Sequence, residues 1–366
     1  MADYRRTVLC DLQLAQGARL VPFCEWEMPV EYSGISKEHR GVRTGVGLFD
    51  VSHMGEFFVR GPESLDLLQY VTTNDVARLS DGAVQYTTMA SEEGTVVDDL
   101  LLYRMGRDQY MMVVNAANID SDFHWLRTQN SFDSRLEDVS EQTTLLAVQG
   151  PSAQEMLQAV TEANLSALAS FRCIETRVAQ VEGILSRTGY TGEDGFEFYF
   201  SNSDAHTVWG TFLDAGKSFG ILPAGLGARN TLRLEAGMLL HGHDMDHTTT
   251  PIEAGIGWVV KLEKGEFIGR EALLRQAEAG VTRKLAGFQM LGPQIAREGY
   301  PVLVDGHTVG RVTSGGPSIT LKKNIGLTYL PVEHAVNGTR LQVQIRKGVG
   351  EAEVVPTPFY KRRASI

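Results

Sequence analysis

Two adjacent aspartates, Asp98 and Asp99, lie inside a run of β-forming and leucine residues, GTVVDDLLLYR at positions 94–104. Successive side chains of a strand point to opposite faces, so each carboxylate shares its face with apolar neighbours. A carboxylate held away from water needs a hydrogen-bond donor, a cation or a raised pKa, and such groups concentrate at functional sites. The pair therefore indicates acid–base chemistry at this strand. The alternative is that both aspartates cap turns or bond to neighbouring backbone.

A glycine-rich segment, TGYTGEDGFE at positions 188–197, is the second candidate for a site. Its three glycines allow the backbone to approach a ligand closely. Glu197 lies at the start of a strand-like run, FEFYF, as its second residue, and its carboxylate is a good acceptor for the N–H groups of a heterocycle. Tyr190, Glu193 and Asp194 add polar groups. Taken alone, however, the pattern favours an ordinary long hairpin with exposed acidic residues.

The segment HGHDMDH at positions 241–247 contains three histidines and two aspartates, a composition that can bind metal. Its spacing lacks the histidine pair of hydrolytic zinc enzymes, so a solvated loop is the favoured interpretation and no metal site is predicted. The three cysteines, Cys10, Cys24 and Cys173, do not have the number or spacing of a disulfide framework or a four-cysteine zinc site. We therefore expect free thiols, buried by default.

Arg229 and Arg233 lie one helical turn apart after GLGARN, which lacks the third glycine of a dinucleotide-binding fingerprint. The two arginines either anchor a carboxylate ligand or form a salt-bridged helix face. In DVSHMGE, His53 lies beside apolar residues, where a hydrogen-bonded core histidine is more common than a catalytic one. Met54, the next residue, would line either a core or a ligand pocket.

Length and composition restrict the class of protein. The 366 residues are enough for two or three domains, and a hydrophobic content of 43% is ordinary for a globular chain. A net charge of −11 disfavours a nucleic-acid partner, because phosphate binding needs a basic surface. No apolar run approaches the ~20 residues that span a bilayer, and the N-terminus has no signal or transit character. We therefore expect no membrane association and a cytoplasmic location.

Hydrophobic periodicity predicts mixed helices and strands up to about residue 280 and only short strands after it. Helices are predicted at 8–16, 35–44, 63–71, 205–219 and 269–279, and strands at 85–90, 95–104, 109–114, 174–182 and 257–262. The three strands between 85 and 114 would set Tyr86, Asp99 and Asn115 in one neighbourhood. A strand–turn–helix unit occurs twice, as GPESLDLLQYVT and GPSAQEMLQAVT, which suggests two α+β lobes of similar build.

Several of these stretches resemble the motifs of one protein family. The chain contains, in this order, FDVSHMGEF, QYTTM, GTVVDDLLLY, VVNAANI, QGPSAQ, SRTGYTGEDGFE, PAGLGARNTLRLEAG, HGHDMD and TSGG. Together they resemble the aminomethyltransferase, or T-protein, family of the glycine cleavage system. The resemblance covers the chain from residue 7 to residue 361, and SRTGYTGEDGFE combined with the aspartate pair is its most specific part.

The resemblance implies an α+β fold, a three-domain cloverleaf around a central folate cavity. Two interleaved α+β domains would be followed by a C-terminal all-β barrel-like domain. The implied boundaries are 1–56 and 140–245 for the first domain, 57–139 and 246–279 for the second, which carries Asp99, and 280–366 for the third.

The resemblance also implies a reaction. The methylene of an aminomethyl group, held on the dihydrolipoyl arm of the lipoylated H-protein, would pass to tetrahydrofolate, with release of ammonia and formation of 5,10-methylenetetrahydrofolate. Asp99 matches the family's essential acid and would orient the folate nitrogens and manage a proton. Glu197 would hold the pterin ring by paired N–H bonds. The other folate contacts implied by matching segments are Met54, Tyr86, Asn115, Tyr190, Arg229, Trp258 and Arg297, the last near the glutamate tail.

Three segments depart from the family pattern. PFCEW carries Cys24 and Glu25 where the family has FxGW, Asn230 stands where it commonly has Asp, and GGPSIT replaces SPT or SPS. The first adds a charge near the expected folate mouth and the second removes a possible partner of Arg229. Two other functions fit the same fold: a folate-dependent demethylase of a small methylated compound, and a non-catalytic folate-binding protein. Neither would depend on a lipoylated carrier.

Overall fold

The computed structural model describes residues 4–346 and 348–362. Eight α-helices lie in that part of the chain: α1 (Cys10–Ala15), α2 (Ile35–Thr44), α3 (Ser64–Val71), α4 (Ile119–Gln129), α5 (Ala153–Gln158), α6 (Ala205–Ala215), α7 (Leu226–Glu235) and α8 (Arg270–Ala279). The same residues form nineteen strands: β1 (Arg19–Phe23), β2 (Trp26–Glu31), β3 (Gly47–Asp50), β4 (Gly55–Arg60), β5 (Val84–Ala90), β6 (Val96–Gly106), β7 (Gln109–Val114), β8 (Arg135–Asp138), β9 (Thr143–Gln149), β10 (Cys173–Val178), β11 (Val181–Ser186), β12 (Gly195–Ser201), β13 (Leu222–Pro223), β14 (Arg283–Met290), β15 (Pro301–Val304), β16 (His307–Ser318), β17 (Lys323–Pro331), β18 (Arg340–Ile345) and β19 (Gly348–Val355).

The strands form three main sheets and one hairpin. A six-stranded sheet has the order β10-β11-β12-β9-β3-β13, and a five-stranded sheet has the order β5-β6-β7-β4-β8. The last six strands close into a barrel, β14-β17-β16-β15-β18-β19, and β1 pairs with β2. In the described chain no α-helix follows α8. The predicted α+β class and the C-terminal all-β barrel are therefore confirmed.

The chain divides into two compact units. The first contains the chain up to Leu68 together with Val76–Tyr86 and Leu100–Asn230. The second contains Gln69–Asp75, Thr87–Asp99 and the chain from Thr231 onward. The division falls inside β5 and inside β6, directly after Asp99 on the latter strand. The three-domain boundaries given above stay a prediction.

The main core of the first unit lies along β9 and β12. Nearly every residue of both strands is buried, as in central strands that are covered on both faces. Phe196 and Phe198 of β12 join one apolar cluster with Trp209 of α6. Glu197 is the one charged residue in β12, and strand alternation places its buried side chain on the face opposite Phe196 and Phe198.

The repeated Gly-Pro turn has a packing explanation. Gly61 and Gly150 both have positive φ, 129° and 134°, a conformation that side chains with a Cβ rarely adopt. A Cβ on Gly150 would also lie 2.4 Å from the carbonyl oxygen of Gly45, and one on Gly61 would lie 2.7 Å from that of Asp133. The repeated sequence therefore forms the same tight turn before α3 and before α5, as expected for a structural unit.

The barrel of the second unit contains the predicted Asp-Gly hairpin. Asp305 and Gly306 have φ values of 49° and 81°, and they connect β15 to β16 with Val304 opposite His307. Two successive residues with positive φ give the turn that matches the right-handed twist of paired strands. An apolar cluster that includes Phe288, Val343 and Val354 fills the barrel.

One predicted strand is wrong, and another predicted segment is divided between two strands. Positions 257–262 contain a 3₁₀ turn at Gly257–Val259, in which the amide of Val260 donates to the carbonyl of Gly257, so the backbone is satisfied locally. Positions 174–182 hold parts of two strands, β10 and β11. Their turn is made by Ala179 and Gln180, at φ 52° and 65°, residue types that rarely adopt this conformation and so give no turn signal.

Lys264 binds the last turn of α3 and the residues just after it, in the second unit. Its ammonium group donates to the carbonyls of Gln69 at 2.6 Å, Thr72 at 2.5 Å and Asn74 at 2.8 Å. We expect Lys264→Met to lower the free energy of unfolding by about 1–3 kcal/mol, because three carbonyls lose their donor. Urea denaturation measures this loss. The exposed Lys284→Met is the control, and an equal effect of both changes would contradict the role of these bonds.

Candidate functional site

The aspartate pair lies on β6 as the alternation predicts. Asp98 is fully buried and Asp99 is half-buried, and buried and half-buried residues alternate from Val96 to Leu102. The amide of Val96 donates to the carbonyl of Thr249, so the strand start is tied to the chain that follows the histidine-rich segment. The buried carboxylate of Asp98 therefore faces the interior of the second unit.

His241 is the titratable group beside Asp98. The Nδ1 atom of His241 lies 3.7 Å from Oδ1 of Asp98, and both side chains are buried. Burial lowers the pKa of His241, and the charge of Asp98 opposes that shift. His247 further lowers the pKa, since its ring centroid lies 6.3 Å away. At neutral pH the imidazole is accordingly held in its uncharged form against the strand that carries Asp99.

A buried ion pair anchors the segment that carries His241. Arg233 of α7 lies 2.6 Å from a carboxylate oxygen of Asp244, with side-chain exposures of 3% and 0%. The guanidinium also donates to the Ser314 hydroxyl at 2.8 Å. Thr313 donates to the other carboxylate oxygen at 2.6 Å, and Tyr329 donates to the Asp244 carbonyl at 2.7 Å. The prediction of a solvated loop is therefore wrong at this position.

The composition of the segment HGHDMDH can bind metal, but its spacing predicted no metal site. Among residues 4–346 and 348–362, no group of three histidine, cysteine or acidic side chains has an arrangement that could hold a metal ion. Arg233 was expected either to anchor a carboxylate ligand or to form a salt-bridged helix face. Its ion pair with Asp244 agrees with the salt-bridged helix face.

In the first unit, Glu197 is buried at the start of β12. The Thr188 hydroxyl donates to its Oε2 atom. Burial raises the pKa of Glu197, while the Thr188 hydrogen bond and the charge of Arg229 lower it. The carboxylate thus lies in a poorly solvated position with one donor from the protein, which suits a group that accepts hydrogen bonds from a ligand.

The acidic residues of the glycine-rich segment are not exposed, contrary to the hairpin interpretation. Glu193 pairs with Arg43 at 2.8 Å, and each side chain is only 6% exposed. Asp194 binds Arg187 through both carboxylate oxygens, at 3.0 and 2.5 Å. These two pairs fix the loop between β11 and β12.

The glycines of this segment allow the loop to pack on Gln149 of β9. A Cβ on Gly189 would lie 2.0 Å from the Gln149 amide oxygen, and a Cβ on Gly195 would lie 2.5 Å from the amide carbon. The Gln149 amide donates to the Thr188 carbonyl at 3.0 Å and accepts from the Thr191 hydroxyl at 2.9 Å. Close packing on Gln149 therefore explains these two glycines.

Arg229 of α7 organises the charged part of the first unit. Its guanidinium carbon lies 4.6 Å from the ring centroid of Tyr190, a cation–π contact. Its positive charge lowers the pKa of Glu197. Burial reduces the pKa of His53 to about 3, and the charge of Arg229 contributes to that shift. His53 is therefore neutral at physiological pH. Its Nδ1 atom has no hydrogen-bond partner among the described residues, so the satisfied core histidine expected here is not what the structure shows.

Glu56 of β4 is a further buried acid, which the sequence pattern did not single out. Its carboxyl group is buried, and neither oxygen has a hydrogen-bond partner in the part of the chain that the structure describes. Burial raises its pKa well above the usual range, with further contributions from Asp138 and Glu197. The signal was present in the sequence, because a lone acid within the strand GEFFVR resembles the pattern that identified Asp98.

The remaining predicted site residues are divided between the two units. Met54, Tyr86 and Asn115 are half-buried in the first unit, which thus contains all the predicted contacts except three. Asp99, Trp258 and Arg297 belong to the second unit. Trp258 is 59% exposed in its 3₁₀ turn, and Arg297 is exposed between β14 and β15. The contact of Tyr190 with Arg229, and the effect of Arg229 on Glu197, join three of the predicted residues.

Two known protein families match successive stretches of this chain. The family of the GCVT N-terminal domain matches residues 9–264, and that of the glycine cleavage T-protein C-terminal barrel domain matches residues 283–361. An aminomethyltransferase of Symbiobacterium thermophilum is 51% identical over 98% of this chain and 97% of its own. One of Bacillus subtilis is 47% identical over 98% of this chain and 99% of its own.

A solved structure matches the whole fold. The glycine cleavage system aminomethyltransferase T of Bartonella henselae superimposes with a TM-score of 0.93 and 33% identity, over 99% of each chain. Sequence similarity and fold similarity both extend over nearly the full length. The chain therefore belongs to the aminomethyltransferase, or T-protein, family of the glycine cleavage system.

Proposed function

We propose that this protein transfers the one-carbon unit of an aminomethyl group to tetrahydrofolate and releases ammonia. The observation that supports this most directly is the buried carboxylate of Glu197, held by one hydroxyl donor and influenced by Arg229. Family membership over nearly the whole chain supports the same reaction. Neither the demethylase nor the non-catalytic alternative has an observation of its own in its favour.

The polar groups of the first unit fit a pterin ring. The ring carries several N–H donors, and Glu197 supplies a buried carboxylate, to which hydrogen bonds are strong. His53 and Glu56 have buried polar atoms without a protein partner among the described residues, as expected near a polar ligand. We assign further contacts with tetrahydrofolate to Tyr190 and Arg229, and also to Met54, Tyr86, Asn115, Trp258 and Arg297.

We assign the catalytic role to Asp99. When bound, tetrahydrofolate supplies the nitrogens that accept the one-carbon unit. The Asp99 carboxyl group would orient those nitrogens and manage a proton as the amine leaves. A carboxylate also stabilises positive charge that develops at the aminomethyl carbon in a poorly solvated site. Its position next to the buried Asp98 on a paired strand gives it a rigid backbone support.

We propose that the lipoylated H-protein delivers the aminomethyl group on its dihydrolipoyl arm.

We also place the reaction in the cytoplasm, and the three free cysteines, Cys10, Cys24 and Cys173, support a reducing compartment. Cys24 is exposed, so the expectation of buried thiols is correct only for the other two. Within the described residues no helix has the length and apolar character needed to cross a membrane. The three-domain division with the boundaries given above is part of this proposal.

The Glu197→Gln variant tests the binding role. We expect it to raise the Kd for tetrahydrofolate by about 10- to 100-fold, because a neutral amide accepts weaker hydrogen bonds and presents a donor to the ring. Calorimetric titration under anaerobic conditions measures the Kd. The exposed Glu155→Gln, on α5 of the same unit, is the control. A loss of turnover with unchanged affinity would contradict a binding role for Glu197.

A reconstituted assay tests the reaction itself. Purified H-protein that carries the aminomethyl group is mixed with this protein and tetrahydrofolate, and ammonia and methylenetetrahydrofolate are followed together. We expect equal amounts of both products. Turnover of a small methylated compound without H-protein would favour the demethylase, and folate binding without either product would favour a non-catalytic binder.

A further inference from the structure

A line of buried hydroxyl groups ends at the carboxylate of Glu197. The Tyr199 and Tyr103 hydroxyl oxygens lie 2.8 Å apart. The Tyr103 hydroxyl lies 3.4 Å from that of Ser186 and 3.5 Å from that of Thr188. The Ser186 and Thr188 hydroxyl oxygens are 2.5 Å apart, and the Thr188 hydroxyl donates to the carboxylate of Glu197. Four hydroxyl groups and one carboxylate thus form a continuous hydrogen-bonded network within the first unit.

The network connects the two sheets of this unit. Tyr103 lies on β6 of the five-stranded sheet, whereas Ser186, Glu197 and Tyr199 lie on β11 and β12 of the six-stranded sheet. Ser186 is directly opposite Glu197 in the ladder of those two strands. The side chains are buried, so water does not compete for these hydrogen bonds. Tyr103 is therefore the member that couples one sheet to the carboxylate on the other.

When Glu197 is ionised, the number of available protons determines which hydroxyl donates in each hydrogen bond of the network. A hydroxyl group has one proton to donate, and an ionised carboxylate has none. With Thr188 donating to Glu197, Ser186 donates to Thr188, Tyr103 donates to the Ser186–Thr188 pair, and Tyr199 donates to Tyr103. Every hydroxyl then donates toward Glu197. Such a chain polarises its members and favours the charged form of the group at its end.

We propose that Tyr103 is a positioning residue that sets the affinity for tetrahydrofolate through Glu197, by fixing the carboxylate and favouring its anionic form. This inference rests on the pterin-binding role proposed above for Glu197. Tyr103 acts through the network and needs no contact with the ligand. Its effect therefore belongs to substrate affinity and leaves the chemical step at saturation unchanged.

The neighbouring acid, Glu56, is compatible with this assignment. Burial raises the pKa of Glu56 well above its usual range, and the charges of Asp138 and Glu197 add to this shift. Because two neighbouring carboxyl groups disfavour each other's ionisation, a raised pKa of Glu56 favours the charged form of Glu197. We accordingly assign the negative charge to Glu197, which accepts the hydrogen bond of Thr188.

A double-mutant cycle tests the proposal. The Kd and the KM for tetrahydrofolate are measured for Tyr103→Phe and for Tyr199→Phe, each in the original background and in the Glu197→Gln background. We expect Tyr103→Phe to raise both constants by about 3- to 10-fold in the original background, with kcat changed by less than about twofold. In the Glu197→Gln background the same change should have almost no effect, because the charged end of the network is gone.

Position along the network provides a second readout. Tyr199→Phe removes the most distant donor, so we expect a smaller effect than that of Tyr103→Phe. Tyr32→Phe is the control, because the Tyr32 hydroxyl is buried without a hydrogen-bond partner among the described residues. It should leave the Kd unchanged. Thermal unfolding of each variant shows whether affinity follows stability; if Tyr103→Phe does not fold, the cycle with Tyr199→Phe decides.

The possible results separate this proposal from the proposed function. If the original protein does not bind tetrahydrofolate, the proposed function fails. If Glu197→Gln weakens binding and the network variants do not, only the network proposal fails. Equal effects of Tyr103→Phe in both backgrounds, or a loss of affinity that follows thermal stability, would also overturn it, since the tyrosine would then act independently of the carboxylate.

Discussion

Replacing Asp99 by asparagine is expected to lower turnover about 100-fold or more while the affinity for tetrahydrofolate stays within about tenfold. The amide keeps the size of the carboxyl group and its ability to accept a hydrogen bond, but it does not hold a negative charge or transfer a proton. Turnover is measured in the reconstituted assay with H-protein, and affinity by titration in the absence of H-protein.

The control for this change is Asp120→Asn, an exposed aspartate in the first turn of α4. It removes one negative charge at a position with no proposed role and should leave both constants unchanged. Loss of tetrahydrofolate binding in Asp99→Asn, with the residual chemistry intact, would show that Asp99 binds the folate and does not act in the chemical step.

The second large effect concerns the ion pair that anchors His241. We expect Arg233→Met to lower the free energy of unfolding by about 3–5 kcal/mol, because it leaves the carboxylate of Asp244 buried without its cation. The double change Arg233→Met with Asp244→Leu should recover a large part of this loss, since no uncompensated charge then remains. Urea denaturation monitored by circular dichroism measures the three free energies.

An exposed pair provides the comparison. Arg177 and Glu182 lie 2.6 Å apart with side-chain exposures of 67% and 69%, so Arg177→Met should cost less than about 1 kcal/mol. If Arg233→Met cost no more than this surface change, or if the double variant were less stable than Arg233→Met alone, the buried charge would not be the cause of the instability.

The elements that the sequence predicted best are those in which local pattern and burial agree. The helix at Ile35–Thr44 and the strand at Gln109–Val114 have the predicted bounds, and Asp98 and Asp99 alternate between the faces of β6 as expected. The barrel was recognisable because Asp305-Gly306 is a strong hairpin signal. The turn at Ala179–Gln180 was not, because its residues adopt positive φ only through the pairing of β10 with β11.

The site was predictable in part. The sequence singled out Glu197 and Arg229, which the structure connects electrostatically in the first unit. It did not indicate that Glu193 pairs with Arg43, since these residues are 150 positions apart and only the tertiary fold brings them within 2.8 Å. Partners of buried charges depend on such distant contacts, so local patterns leave them open. The specific roles of the family residues came from resemblance, and for Asp99 the role remains a prediction.

The closed barrel and the ends of the six-stranded sheet have a consequence for self-association. A barrel offers no row of unpaired amides and carbonyls to which another chain could add a strand. At one end of the six-stranded sheet, β13 has only two residues and one of them is Pro223, which lacks an N–H. At the other end, β10 exposes the opposite charges of Glu175 and Arg177. These edges disfavour aggregation through added strands, a hazard for any protein with this much sheet.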